Sequence, residues 1–207
     1  MEPKKYPELI LEIGVIRMLN EFRLKMLNRE ASSPKNNPSQ IIEYLKIGDG
    51  MVIGDIGSGG GYYTREFSRE VGGQGLVYAI DTHQKSIDFI RKSLLKEGIQ
   101  NVETVLTSPY GIELPEKSVD MFFLRNVFHH LPNQVEYIKN IKKFLKDSCG
   151  KIAIIDYNHR KFGFTGLFGH YTPEIVLLDV MNQAGFSLFE KHDFLPDQLF
   201  MIFEAKP

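Results

Sequence analysis

The sequence predicts an α/β protein with a doubly wound, mainly parallel sheet, and three observations carry that expectation. From residue 38 onward, short apolar runs alternate with stretches of helical periodicity. The runs are continuous rather than alternating, as in strands buried on both faces. The first of them ends in Gly57-Ser58-Gly59-Gly60-Gly61, at the place where such a sheet passes the chain from strand to helix. Strands separated by single helices imply right-handed crossovers and helices on both faces.

The elements follow in order. Residues 7 to 28 carry Leu9, Ile13, Ile16, Leu19, Phe22 and Met26 at intervals of three and four with charges between them, the pattern of an amphipathic helix. The Ser/Pro/Asn-rich stretch from Ala31 to Pro38 reads as a linker. It divides the chain into an N-terminal helix with its linker, residues 1–37, and one domain, residues 38–207. A short helix over 38–46 precedes a strand over 51–56. Then come a helix over 62–71, a strand over 76–80, a helix over 84–97 stopped by Gly98, and a strand over 102–106. The apolar run Val119 to Leu124 is the fourth strand, followed by a helix over 133–146 and a strand over 151–155 after Gly150. A helix over 173–184 stops at Gly185. Strands near 186–193 and 199–204 then pair as a hairpin, giving the sheet an antiparallel member. The strands number seven.

Composition narrows the function. With 207 residues, 43% hydrophobic and 25% charged, the chain suits a single core. The net charge of -1 gives no field favouring nucleic acid or anionic lipid, and there is no basic stripe. The one cysteine, Cys149, forms no internal disulfide and has no partners for a structural zinc site, which fits a reducing cytoplasm. Charges at Glu2, Lys4, Lys5, Glu8, Glu12 and Arg17 interrupt any signal peptide or membrane span near the N-terminus. A small-molecule partner is the first expectation, with no metal.

The glycine loop carries the chemistry. In an open parallel sheet, ligands sit outside the carboxyl ends of the strands where the strand order reverses. Glycines there adopt positive φ and let the backbone approach a ligand, while free amides at the next helix start face the crevice. Dinucleotide folds use G-x-G-x-x-G, whereas here Tyr62 stands where the third glycine belongs. Asp55 precedes the glycines, and some twenty residues after them Asp81 closes the run Val77-Tyr78-Ala79-Ile80. A carboxylate there accepts hydrogen bonds from both ribose hydroxyls. An aspartate after a strand is also a common turn or cap residue; it is the pairing with the glycines at this spacing that points to an adenosine cofactor.

These residues resemble the first motifs of class I S-adenosylmethionine-dependent methyltransferases, in particular the branch of ubiquinone and menaquinone C-methyltransferases. The resemblance spans Lys46 to Lys206. Leu114-Pro115 to Ser118-Val119-Asp120 is similar to that family's lead into the fourth strand, Phe128-His129-His130-Leu131 to the segment after it, and Gly150-Lys151-Ile152 to its fifth strand. The resemblance implies the Rossmann-like methyltransferase fold and S-adenosyl-L-methionine as cofactor. It also implies site roles. Asp55 orients the loop, Gly57, Ser58, Gly59 and Gly61 pack against the methionine part, Asp81 with Thr82 beside it holds the ribose, and Asn126 faces the methionine end. Where the family has an acid for the adenine amino group, this chain has Ser108, whose hydroxyl can accept the same bond.

A sulfonium is already an activated methyl donor, so in-line placement of the acceptor is the main requirement and supplies roughly 7 to 11 kcal/mol of the barrier. For a hydroxyl or acidic-carbon acceptor a base helps, and His129 and His130 follow the fourth strand at the crevice. Histidines at a helix start also pack or make local hydrogen bonds. Arg125 reads as the partner of an acidic neighbour, with an anionic substrate as the alternative. Tyr62, Tyr63 and Phe128 are wall or packing residues. The Gly-, Phe- and His-rich stretch from Tyr157 to Tyr171, containing His159 and His170, is substrate wall or surface loop. The N-terminal helix is a lid, a dimer contact or packing, and the linker favours the lid. Two other functions compete, a non-catalytic S-adenosylmethionine-binding protein and a nicotinamide-dependent oxidoreductase. The second lacks its third glycine, since Tyr62 stands in that place.

Overall fold

The computed structural model describes residues 6–147, 150–158 and 171–206, with side chains of the first helix described from residue 18 onward. Cys149, the segment 159–170 with His159 and His170, and the side chains of Leu9, Ile13 and Ile16 lie outside the described residues. The chain begins with α1 (Tyr6–Ala31) and α2 (Pro38–Leu45), then β1 (Val52–Ile56), α3 (Tyr62–Glu70), β2 (Leu76–Asp81), α4 (Gln84–Glu97) and β3 (Val102–Leu106). The second half holds β4 (Met121–Arg125), α5 (Gln134–Lys142), β5 (Lys151–Tyr157), α6 (Glu174–Gln183), β6 (Phe186–His192) and β7 (Gln198–Ala205). No described helix is long and apolar enough to cross a membrane.

The seven strands form one sheet in the order β3-β2-β1-β4-β5-β7-β6. The pairs β1 with β2, β1 with β4, β2 with β3, and β4 with β5 are parallel, and β7 runs antiparallel to both its neighbours. The chain winds outward from β1 to β3 and returns to β4 beside β1, so the order reverses between β1 and β4 and leaves a crevice at their carboxyl ends. The expected hairpin forms, with its second strand placed inside. Leu199 to Phe203 of β7 are all buried, a run that needs cover on both faces, whereas β6 leaves Leu188 and Phe189 partly exposed and serves as the edge.

Successive residues of each strand point to opposite faces, so the sheet carries a core on each side. Ile80, Phe122, Leu124, Ile152 and Ile154 pack with α5 and α6 residues such as Ile138 and Leu177. Ile53, Phe123, Ile155 and Phe200 pack with Ile41 and Leu45 of α2 and with Tyr63 and Phe67 of α3. The central strand contains Gly54 because the Phe122 ring of β4 fills the space a side chain would take, 2.3 Å from where its Cβ would stand.

Three expectations change. The helix expected over 133–146 ends at Lys142, because the backbone of 143–146 turns to bond residues 117–119. That turn buries Phe144 and Leu145. Val119 then forms only a bridge with Leu145, and β4 starts at Met121. The linker is a hydrogen-bonded turn: α1 runs through Ala31, residues Pro34–Asn36 form a 3-10 turn, and the Asn36 amide donates to Glu30 O at 2.7 Å. In α1 the described part of the anticipated apolar stripe faces outward. Leu19, Phe22 and Met26 are exposed, while Leu24 and Ala31 are buried. The helix docks through the face that meets the glycine loop.

Adding a methyl group at the tightest point of the sheet tests this packing. Gly54→Ala forces the Phe122 ring aside, costs about 1–3 kcal/mol, and lowers Tm by several degrees in calorimetry. Combining it with Phe122→Leu recovers part of the loss, since the two changes share one volume.

Candidate cofactor and substrate cleft

The loop after β1 owes its shape to glycine. Gly57, Gly59 and Gly61 have φ of 71°, 54° and 78°, values that residues with a Cβ rarely adopt. At Gly57 a Cβ would also stand 2.3 Å from a Val127 methyl. The loop is tied down on several sides. The amides of Gly57 and Ser58 donate to Ile80 O at 2.8 and 3.1 Å, and Gly61 N donates to Ser58 O at 2.8 Å. Gly59 N donates to Asp81 Oδ2 at 2.9 Å. From the other side, the Asn28 amide of α1 donates to Gly60 O at 2.8 Å.

The sequence offered a lid over the crevice as one use of α1 but named no residue of the helix at the cleft. Asn28 and Leu27 border it, and Leu24 O would lie 2.5 Å from a Cβ on Gly60. The one available signal was a polar Asn28 near the end of an apolar helix.

Two cavities share the walls Leu27, Gly57, Gly59 and Val127. The larger, about 420 Å³, runs past Asp81, Thr82 and Ser108 to His130 and Tyr137. The smaller, about 170 Å³, is bordered by Asp55, Gly57, Ser58, Gly59, Tyr63, Arg125 and Asn126. The expected residues thus gather at the crevice, with two exceptions. Gly61 lines neither cavity; it starts α3 and its missing side chain makes room for Ile90. His129 lines neither cavity, and its side chain is 5% exposed.

Asp81 is 7% exposed. Each of its oxygens accepts one amide, Oδ2 from Gly59 and Oδ1 from His83 N at 2.8 Å. The His83 Nδ1 also lies 3.2 Å from Oδ1; a carboxylate has about four acceptor positions, so Oδ2 retains capacity toward a diol in the larger cavity. Asp55 accepts the Thr64 hydroxyl at 2.5 Å, pinning the end of β1 to α3. Burial pushes its carboxyl up to about 7, with a smaller contribution from the like charge of Asp81 and an opposing one from Thr64. Asn126 sits at φ 55°. Its backbone N–H bonds Ile155 O at 2.8 Å, and its side-chain carbonyl accepts from Gln198 at 2.6 Å.

His129 belongs to a buried network at the ends of β4 and β5. Its Nδ1 lies 2.7 Å from Asp156 Oδ1, and its N–H donates to Asp156 Oδ2 at 3.0 Å. Asp156 also accepts the Thr172 hydroxyl at 2.9 Å and Tyr157 N at 2.9 Å. Asp156 was missed in the sequence although an acid closing the apolar run Ile152 to Ile155 was a visible signal. The His129 and His130 rings are 4.0 Å apart.

A doubly wound sheet with a glycine loop and an acid closing β2 defines an adenosine-cofactor-binding protein of the methyltransferase fold. A family model described as a methyltransferase domain matches residues 47–172, more than half of the chain, and the chain belongs to that family, whose cofactor is S-adenosylmethionine. A demethylmenaquinone methyltransferase of Lactococcus lactis is 23% identical over 154 residues, covering 68% of this chain and 61% of that one. A ubiquinone/menaquinone biosynthesis C-methyltransferase of Pseudomonas aeruginosa is 30% identical over 122 residues, covering 56% of this chain and 46% of that one. The chain therefore spans less than two thirds of the length of either relative. A SAM-dependent methyltransferase structure from Aquifex aeolicus superposes with TM-score 0.79 at 24% identity, over 87% of this chain and 95% of that one. The residues present fit the cofactor: the glycines leave space where side chains would intrude, and Asp81 keeps acceptor capacity facing the larger cavity.

The buried acid makes stability pH-dependent. Between about pH 4, where an exposed carboxyl titrates, and about 7, the native state keeps a proton that the unfolded chain has lost. Stability therefore falls as pH rises through that window and levels off above it. Asp55→Asn removes this dependence, so its Tm declines less than that of the unaltered protein between about pH 5 and about pH 8. Parallel declines would refute the assignment.

Proposed function

We propose that this protein transfers a methyl group from S-adenosylmethionine to a small-molecule acceptor with a quinol- or phenol-like ring. The observation that carries the reading is the cleft at the β1 and β4 carboxyl ends, where a preformed glycine loop and Asp81 border one 420 Å³ cavity. That volume lies in the range of small-molecule sites. The ring-like acceptor is supported by the names of the menaquinone and ubiquinone relatives. When bound, the cofactor supplies an already activated methyl group. The chain's own task is then to orient and to exclude water.

In this reading Asp81 and Thr82 hold the ribose, Ser108 meets the adenine edge, and Gly57, Ser58, Gly59 and Asn126 line the methionine end, with Asp55 fixing the loop from below. His130 borders the cavity and takes a proton from a hydroxyl or acidic-carbon acceptor. His129, held by Asp156, supports it through their ring contact. Residues 1–37 act as a lid on the domain formed by residues 38–207, with Leu27 lying 3.4 Å from where a Cβ on Gly59 would stand.

Titration calorimetry tests the donor. S-adenosylhomocysteine binds, NADH does not, and Asp81→Asn weakens the former at least about tenfold, as loss of charge-assisted hydrogen bonds does. Binding of NADH instead would replace this reading with an oxidoreductase. Methyl transfer to a panel of quinols and phenols tests the reaction, and binding without turnover on any of them would leave a non-catalytic binder. A third measurement separates chemistry from binding. His130→Gln lowers kcat on hydroxyl acceptors by about 10²-fold or more, and removal of residues 1–17 lowers turnover, with both keeping S-adenosylhomocysteine affinity within about threefold. Equal loss of affinity and turnover would sink the lid and the base.

A further inference from the structure

The smaller cavity contains an electrostatic feature that the methyl-donor reading does not use. Arg125, the last residue of β4, has its Nε and Nη2 buried with no hydrogen-bond partner among the described residues, and the Tyr63 hydroxyl of α3 is in the same condition. Both border this cavity. The guanidinium carbon lies 5.6 Å from the centre of the Tyr63 ring, within the range of a cation–π contact. The sequence suggested an acidic partner for Arg125, yet among the described residues it forms no ion pair.

The acids nearby are otherwise engaged. Asp55 accepts from Thr64, and burial raises its carboxyl to about 7, which keeps a substantial neutral fraction near neutral pH. Glu30 accepts the Tyr157 hydroxyl at 3.4 Å. Burial also holds the Tyr63 phenol up to about 12, so it remains an O–H donor throughout the physiological range. Nearly all buried polar groups in folded proteins are satisfied, and a buried charge without a partner is destabilising. Three unsatisfied donor atoms on two residues that line one cavity therefore indicate a missing acceptor.

We propose that Arg125 and Tyr63 form an oxyanion-binding pocket that takes a carboxylate or a phenolate, an assignment that rests on the methyltransferase reading above for the molecules involved. The guanidinium fork matches a carboxylate bidentately, and a cavity of about 150 Å³ is known to hold one benzene ring, so about 170 Å³ admits a benzoate-sized group. Two molecules can bring such an oxygen into the cleft: a methyl acceptor ionised at a ring substituent, and the cofactor through its amino-acid carboxylate. If the acceptor is a phenol, the positive charge favours its ionised form.

Calorimetry on the unaltered protein, Arg125→Gln, Arg125→Lys and Tyr63→Phe separates these sources with three probes: S-adenosylhomocysteine, 5′-methylthioadenosine, which lacks the carboxylate, and benzoate. In every supporting case 5′-methylthioadenosine binds all variants equally. A tenfold or greater loss of S-adenosylhomocysteine affinity in Arg125→Gln, with benzoate unaffected, assigns the oxyanion to the cofactor. The same loss for benzoate, with S-adenosylhomocysteine unaffected, assigns it to the acceptor. In both cases Arg125→Lys retains part of the affinity and Tyr63→Phe loses severalfold.

A thermal readout accompanies binding. Without ligand, Arg125→Gln melts at or above the Tm of the unaltered protein, because a charge lacking a partner has been removed. The proposal is overturned if Arg125→Gln binds all three probes normally, if it loses all three equally, if it melts well below the unaltered protein, or if the unaltered protein binds neither carboxylate probe. Should Arg125→Gln fail to fold, Arg125→Lys and Tyr63→Phe carry the same comparison. If the unaltered protein binds benzoate through Arg125 but binds neither adenosine compound, the methyltransferase reading falls and the pocket stands.

Discussion

The backbone path from Gly57 to Gly61 constrains everything around it. Three left-handed residues within five positions make a bend that only a glycine-rich segment takes without strain. The bend in turn brings the Gly59 amide onto the Asp81 carboxylate. Val127 from the β4 side packs into the space left at Gly57, Ile90 of α4 into the space at Gly61, and Asn28 of α1 onto Gly60 O. One loop therefore joins the ends of β1 and β2 with α1, α3, α4 and the β4 turn. Its shape is fixed by internal hydrogen bonds, so a ligand meets a surface whose ordering entropy is already spent.

The charges around the cleft are divided by this loop. On the larger side Asp81 is held by amides and presents acceptor oxygens to hydroxyl groups. On the smaller side burial raises the Asp55 carboxyl to about 7, and the buried Arg125 guanidinium has Nε and Nη2 without partners among the described residues. Burial, more than the like charge of Asp81, raises the Asp55 carboxyl. Behind the β4 turn, Asp156 gathers bonds from His129, Tyr157 and Thr172 and keeps the ends of β4 and β5 in register with the cleft.

Much of the fold was legible because the signals are local. Continuous apolar runs marked the buried strands, Gly98 marked the end of α4 through a left-handed φ of 68°, and the glycines with Asp55 and Asp81 marked the cleft. Local signals failed where a long-range contact competed with them. The helical pattern beyond Lys142 gave way because burying Phe144 and Leu145 against residues 117–119 gains more than another helical turn. The apolar stripe of α1 pointed to a docking face, yet the described part of the helix docks through Leu24, Leu27 and Asn28, which follow the shape of the glycine loop. No periodicity in the helix encodes that shape.

The sequence by itself determined the strand count, the helices between the strands, the place of the glycine bend and the acid that answers it. All of these depend on side-chain period, glycine backbone freedom and short spacings along the chain. Only the tertiary structure decided that β7 lies inside β6, that α1 bonds the glycine loop through Asn28, that His129 is buried against Asp156 and that Arg125 borders a cavity while forming no ion pair among the described residues. Those outcomes depend on which distant surfaces fit together and on which charges lose their water in doing so. Burial and partnership are properties of the assembled sheet and not of the local sequence.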